Sequence, residues 1–131
     1  MKILIDTDIL LNVALDRSQF ADASGQILDW AESHPGSACV AWHTLANVAY
    51  LVKGNPRAFL RELLSFVIVP GTSTEAARQA LELPVADLED AFQAVTAQSF
   101  AADYIVTRNL KDYRRSPIPA ASPDQFLSDL A

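Results

Sequence analysis

A single cysteine among 131 residues means that the chain cannot close an internal disulfide. Cys39 lies in an apolar segment and reads as a small buried hydrophobe suited to a reducing compartment. No apolar run approaches the roughly eighteen residues of a membrane span. Lys2-Ile3-Leu4-Ile5 before Asp6 is too short for a signal-peptide core, so a cytoplasmic location is expected. Positive charge is scarce as well. Ten Lys and Arg face sixteen Asp and Glu, and a formal charge of −6 argues against nonspecific, charge-driven coating of nucleic acid. What is present is a chain half apolar and one fifth charged, which excludes a disordered tail. Its length fits one domain over residues 1–131.

Short aliphatic runs alternate with longer helical patterns. Strands are expected at Lys2–Ile5, Ser37–Ala41, Val67–Val69, Tyr104–Thr107 and, minimally, Pro119–Ala121. Helices are expected at about Asp8–Leu15, Phe20–Ser33, Trp42–Lys53 with Gly54 as its stop, and Pro56–Ser65 behind the Asn55 cap. Further helices follow Ser73 to about Leu83 and Asp87 to about Phe100. A last short helix opens at Ser122-Pro123, where Ser122 and Gln125 have capping-box spacing. This alternation predicts a parallel sheet covered by helices on both faces, a three-layer α/β/α fold with four or five strands. Ligands of such sheets bind beyond the carboxyl ends of the strands.

Carboxylates gather where that rule points. Asp6-Thr7-Asp8 follows the first strand. Helix capping is the favoured reading for Asp8, whereas Asp6 is open to either capping or chemistry. On the helix from Leu88, the residues Leu88, Ala91, Phe92, Val95 and Ser99 form an apolar stripe. Glu89, Gln93 and Thr96 form a polar one, and Glu89 reads as a solvated charge. Asp90 heads a third stripe with Ala94, Ala97 and Ala101, whose small residues suggest a second packing contact. Chemistry is favoured for Asp90 over simple complementation of the helix dipole. Beyond the Tyr104–Thr107 strand, Arg108-Asn109-Leu110-Lys111-Asp112-Tyr113-Arg114-Arg115 carries four of the ten basic residues. An ordinary loop with Asp112 paired to a neighbouring base explains that stretch equally well. If Asp6, Asp90 and Asp112 converge, a hard cation such as Mg²⁺ or Mn²⁺ suits them and would support hydrolysis at phosphorus.

These blocks resemble the PIN domain, a family of small metal-dependent ribonucleases that includes the VapC-like toxins of bacterial toxin–antitoxin pairs. Ile3-Leu4-Ile5-Asp6-Thr7-Asp8-Ile9-Leu10-Leu11 is similar to the family's strand and first aspartate. Leu88-Glu89-Asp90-Ala91-Phe92-Gln93-Ala94 is similar to its third acidic block, and Ile105–Tyr113 to its late strand and loop. The resemblance implies strand order 3-2-1-4-5, a Mg²⁺ or Mn²⁺ cofactor held by Asp6, Asp90 and Asp112, and RNA as substrate. It also implies a cognate antitoxin protein and a homodimer. Asn47 and Asn109 would complete the site, each standing where many members have an acid. His43 and Tyr50 lie near Asn47, as part of either the site or a polar boundary face. Thr7 and Thr107 are candidate hydrogen-bond donors near a phosphate. Arg108, Lys111, Arg114 and Arg115 are candidate backbone contacts. The missing acid at Asn47 supports an alternative, a noncatalytic PIN-like module that binds RNA or protein. Asp6-Thr7-Asp8 also resembles the opening of haloacid-dehalogenase-type phosphatases, but no paired-Asp motif follows a late strand.

Overall fold

The computed structural model describes residues 1–17 and 19–131. Four parallel strands form one sheet: β1 (Ile3–Ile5), β2 (Ala38–Cys39), β3 (Tyr104–Val106) and β4 (Ala120–Ala121), in the order β2-β1-β3-β4. The expected order 3-2-1-4-5 is corrected by the Val67–Val69 run. That run meets the outer side of β2 at one isolated bridge, Cys39 with Ile68, and so does not count as a strand. Two backbone bonds, Ile68 N to Ala38 O and Val40 N to Ile68 O, hold it there at 3.0 Å each. Pro70 and Gly71 follow at once, leaving no room for a longer ladder.

Strand alternation divides the core into two layers. Ile3, Ile5, Ala38, Val40, Val106 and Ala121 point to one face. They pack there with Ile9 and Leu10 of α1 (Thr7–Ala14), Ile27 of α2 (Ala21–Ser33), Val48 of α3 (Trp42–Leu51) and Leu63 of α4 (Pro56–Leu63). Leu4, Cys39 and Ile105 point to the other face and meet Ala94 and Ala97 of α6 (Leu88–Phe100). Helix α5 (Thr74–Glu82) packs on α6 through Ala80, Ala91 and Val95. The chain closes with α7 (Pro123–Gln125), running into a π-helical turn at Phe126–Leu130.

Cys39 is fully buried, and that burial pushes its thiol pKa up to about 12. The alanine stripe of α6 is thus the face that meets the sheet, because small side chains let helix and strands approach closely. Leu88 and Phe92 of the expected apolar stripe are instead 52% and 37% exposed. The supposed polar stripe is mostly interior: Gln93 is fully buried and Thr96 nearly so, while Glu89 is at the surface as expected. Helix α3 stops at Leu51, before Gly54, which takes φ of 96° in the following turn.

Candidate functional site

The carboxyl ends of β1 and β3 bring Asp6, Asp8 and Thr107 together. Asp6, not Asp8, caps α1: its Oδ1 accepts from the Thr7 N–H at 2.7 Å, because the helix begins one residue earlier than expected. Asp8 in the first turn ties down the loop beyond β3 instead. Its Oδ2 accepts from Arg108 N–H and the Asn109 side-chain amide, both at 3.1 Å. Its Oδ1 is buried and unpartnered. Burial raises the Asp8 pKa, against the lowering effect of those donors.

Asp6 is 5% exposed and surrounded by donors. Oδ1 accepts from Gln93 Nε2 at 3.0 Å as well as from Thr7. Oδ2 accepts from Thr107 Oγ1 at 2.8 Å and from the Tyr113 hydroxyl at 3.1 Å. Four donors thus face the two Asp6 oxygens, of which the Thr107 and Tyr113 hydroxyls each have one proton and also face a second carboxylate. Gln93 Nε2 also reaches the hydroxyls of Thr7 at 2.9 Å and Thr44 at 3.2 Å, which lie 2.9 Å from one another. Burial, followed by repulsion from Asp8, raises the Asp6 pKa to about 7 despite these bonds.

Asp90 joins through Tyr113, whose hydroxyl is also 3.1 Å from Asp90 Oδ1. Burial and the Asp6 charge raise Asp90 to about 6, and Tyr113 lowers it. The phenol has one proton for two carboxylates. Burial and both acids push its own pKa upward, so that proton stays in place. Tyr113→Phe is expected to raise the Asp90 pKa above about 6, since it removes a donor from the ionised form. Carbon NMR of the carboxyl groups across pH measures this, and an unchanged or lowered value contradicts the bridge.

The other expected residues are distributed around this centre. Asp112 is exposed on the 3₁₀ turn Leu110–Tyr113 and acts on Asp90 only as a nearby charge. Asn47 donates to Glu89 Oε1 at 3.2 Å, so α6 supplies a carboxylate beside the position where α3 lacks one. His43 packs edge-on against Phe92, and burial lowers its pKa. Tyr50 is 86% exposed. Arg108, Lys111, Arg114 and Arg115 are all at the surface. Thr44, Gln93 and Tyr113 carry the site's hydrogen bonds, yet the sequence assigns them no role. Only the positions of Gln93 inside the third acidic block and of Tyr113 inside the late-loop block hint at it.

Among the described residues, no three His, Cys, Asp or Glu side chains stand together so as to hold a metal ion. Asp6 and Asp90, bridged by the Tyr113 hydroxyl, are the residues that would hold the divalent ion that the resemblance implies. A neutral phenol stands between Asp6 and Asp90 and shares its single proton between them.

The PIN domain family model matches residues 2–111. Comparison with curated proteins finds no match. Among solved structures, the chain is similar to a chain in the crystal structure of VapBC2 from Rickettsia felis bound to a DNA fragment from their promoter. The TM-score is 0.71 at 18% identity, covering 93% of this chain and 98% of that one. At that identity the likeness shows a shared fold. The phosphatase resemblance of Asp6-Thr7-Asp8 gains nothing from these comparisons.

Proposed function

Because this chain belongs to the PIN-domain family, we propose that it is a binding module that engages RNA locally without a resident divalent ion. One observation carries this reading: the Tyr113 hydroxyl bridges Asp6 and Asp90 where a metal nuclease needs open carboxylate oxygens. Arg108, Lys111, Arg114 and Arg115 supply exposed positive charge beside that centre. The remaining acidic surface keeps contacts confined to this edge. A protein partner of the antitoxin type and pairing of two copies belong to the same proposal. The exposed aromatics Trp42 and Tyr50 on α3, 70% and 86% accessible, support them.

A second reading is the Mg²⁺- or Mn²⁺-dependent ribonuclease, with Asp6, Asp90 and Asp112 as metal residues and Asn47 and Asn109 assisting. It is favoured by the burial, and after it the neighbouring carboxylate charge, that raise both Asp6 and Asp90 and that a cation would offset.

Incubating purified protein with RNA in Mn²⁺ or in EDTA, beside an Asp6→Ala/Asp90→Ala variant, decides between the two. The expected result is equal RNA affinity in both buffers and no cleavage beyond that of the variant. Mn²⁺-dependent cleavage that the double variant loses would overturn the binding reading and establish the nuclease.

A further inference from the structure

Next to the carboxylate centre lies a separate cavity of ≈ 320 Å³, lined by residues that include Gln19, Phe20, Ser24, Arg108, Ser122 and Asp124. It forms where the start of α2, the loop after β3 and the turn before α7 meet. The Arg108 guanidinium sits over the Phe20 ring, with its central carbon 2.9 Å from the centroid. The Arg108 backbone is moored independently, by its N–H to Asp8. Thr107, the preceding residue, bonds Asp6. One wall of the cavity therefore adjoins, along the chain, a residue of the carboxylate centre.

We propose that this cavity is a nucleobase subsite for single-stranded RNA, with the Arg108–Phe20 pair as its stacking platform. The inference rests on the RNA-binding reading above and assigns Arg108 a role different from a phosphate contact. A planar guanidinium already seated on a ring presents a second flat face at little entropic cost. Bases stack on such faces irrespective of sequence. The guanidinium faces the Phe20 ring, while the hydrogen bond from Arg108 to Asp8 comes from its backbone N–H and its charge lowers the Asp8 pKa. Asp124 and Gln19 add polar edges. The Asp124 carboxylate accepts no hydrogen bond among the described residues and suits the exocyclic amine of adenine or cytosine, which uracil lacks.

Fluorescence anisotropy with labelled oligoadenylate, oligouridylate and an oligoadenylate carrying abasic sites tests the assignment, with adenosine monophosphate as competitor. Arg108→Lys keeps the charge and loses the plane, and Phe20→Leu keeps the bulk and loses the ring. Each is expected to weaken oligoadenylate binding about tenfold, with an unchanged salt slope. Oligouridylate should bind more weakly than oligoadenylate, and the abasic strand should bind wild type and variants alike. The monophosphate should compete with oligoadenylate for wild type; a melting curve confirms that both variants fold. Arg108→Lys binding oligoadenylate as tightly as wild type would mark Arg108 as a phosphate contact and overturn the subsite alone. No binding of any strand by wild type overturns the RNA reading and the subsite together.

Discussion

Asp6→Asn is expected to raise the melting temperature at about pH 8 by roughly 5–10 °C, although it removes the residue that most resembles a catalytic aspartate. The unfolded carboxyl ionises near 3.8, and in the folded chain it ionises at about 7. Between those values the unfolded state has released a proton that the folded state retains. Stability therefore falls as pH rises through this window and stays at its reduced level above it. At about pH 8 the full penalty of the buried charge is present. At about pH 5 part of it has gone, and near pH 3 none remains. The gain from the amide should shrink in the same order.

The surroundings accept an amide. Oδ1 keeps both donors, Thr7 N–H and Gln93, and Asn is a good cap. Where Oδ2 becomes an N–H₂ group, Thr107 can turn its proton to Asp8 Oδ2, now 3.4 Å away, and Tyr113 can give its proton to Asp90. Thermal melts at the three pH values check this. A melting temperature lowered equally at all three would show that the carboxylate is stabilising. Millimolar Mn²⁺ adds a second test. If it raises the wild-type melting temperature at about pH 8 and not that of the variant, a cation rather than a proton balances the site.

Gln93→Leu should have the largest effect in the opposite direction, a loss of about 2 kcal/mol or 5–10 °C. Leucine matches the volume and suits the buried position. It leaves Asp6 without one of its donors, and a hydrogen bond to a charged acceptor is the costly kind to lose. Thr7 and Thr44 still bond one another, which limits the damage. Removing the unpartnered Gln93 Oε1 offsets a further part. Because the loss is routed through the Asp6 charge, Gln93→Leu should cost markedly less in an Asp6→Asn background. Melts of the four proteins of that cycle at about pH 8 measure the coupling. A shift under about 2 °C for the single variant would mean that Gln93 does not hold the carboxylate.

These two residues show what a sequence can and cannot express. Elements whose signals are local were legible. Asn55-Pro56, Ser73, Asp87 and Ser122-Pro123 open helices as expected, and each cap side chain accepts from the N–H three residues on. The alternation in Ile3-Leu4-Ile5 was legible as burial on both faces. Asp6, Thr7 and Thr107 lie at strand ends and Asp90 at a helix start, positions that are visible in the pattern.

Gln93 and Tyr113 were not legible in this way, because nothing near them in the chain shows their partners. Gln93 lies 87 residues from Asp6, and Tyr113 lies 107. Helical periodicity gave Gln93 a polar face without showing that the face turns inward. For the same reason it gave Leu88 and Phe92 an interior they do not have. Val67–Val69 has strand composition, but composition does not show that only one bridge will form.

The pairing of β1 with β3 also sets a timetable. Ile3 lies against Tyr104, Leu4 against Ile105 and Ile5 against Val106. On a ribosome adding about 5–20 residues per second, the first strand therefore emerges roughly 5–20 s before the neighbour it needs on one side. β2 comes sooner but offers only two residues of ladder. During that interval β1 is an apolar edge with no lasting partner, the kind of surface that nascent-chain chaperones bind. The carboxylate centre is completed late, since it waits for Tyr113, and only β4, α7 and the final turn follow it.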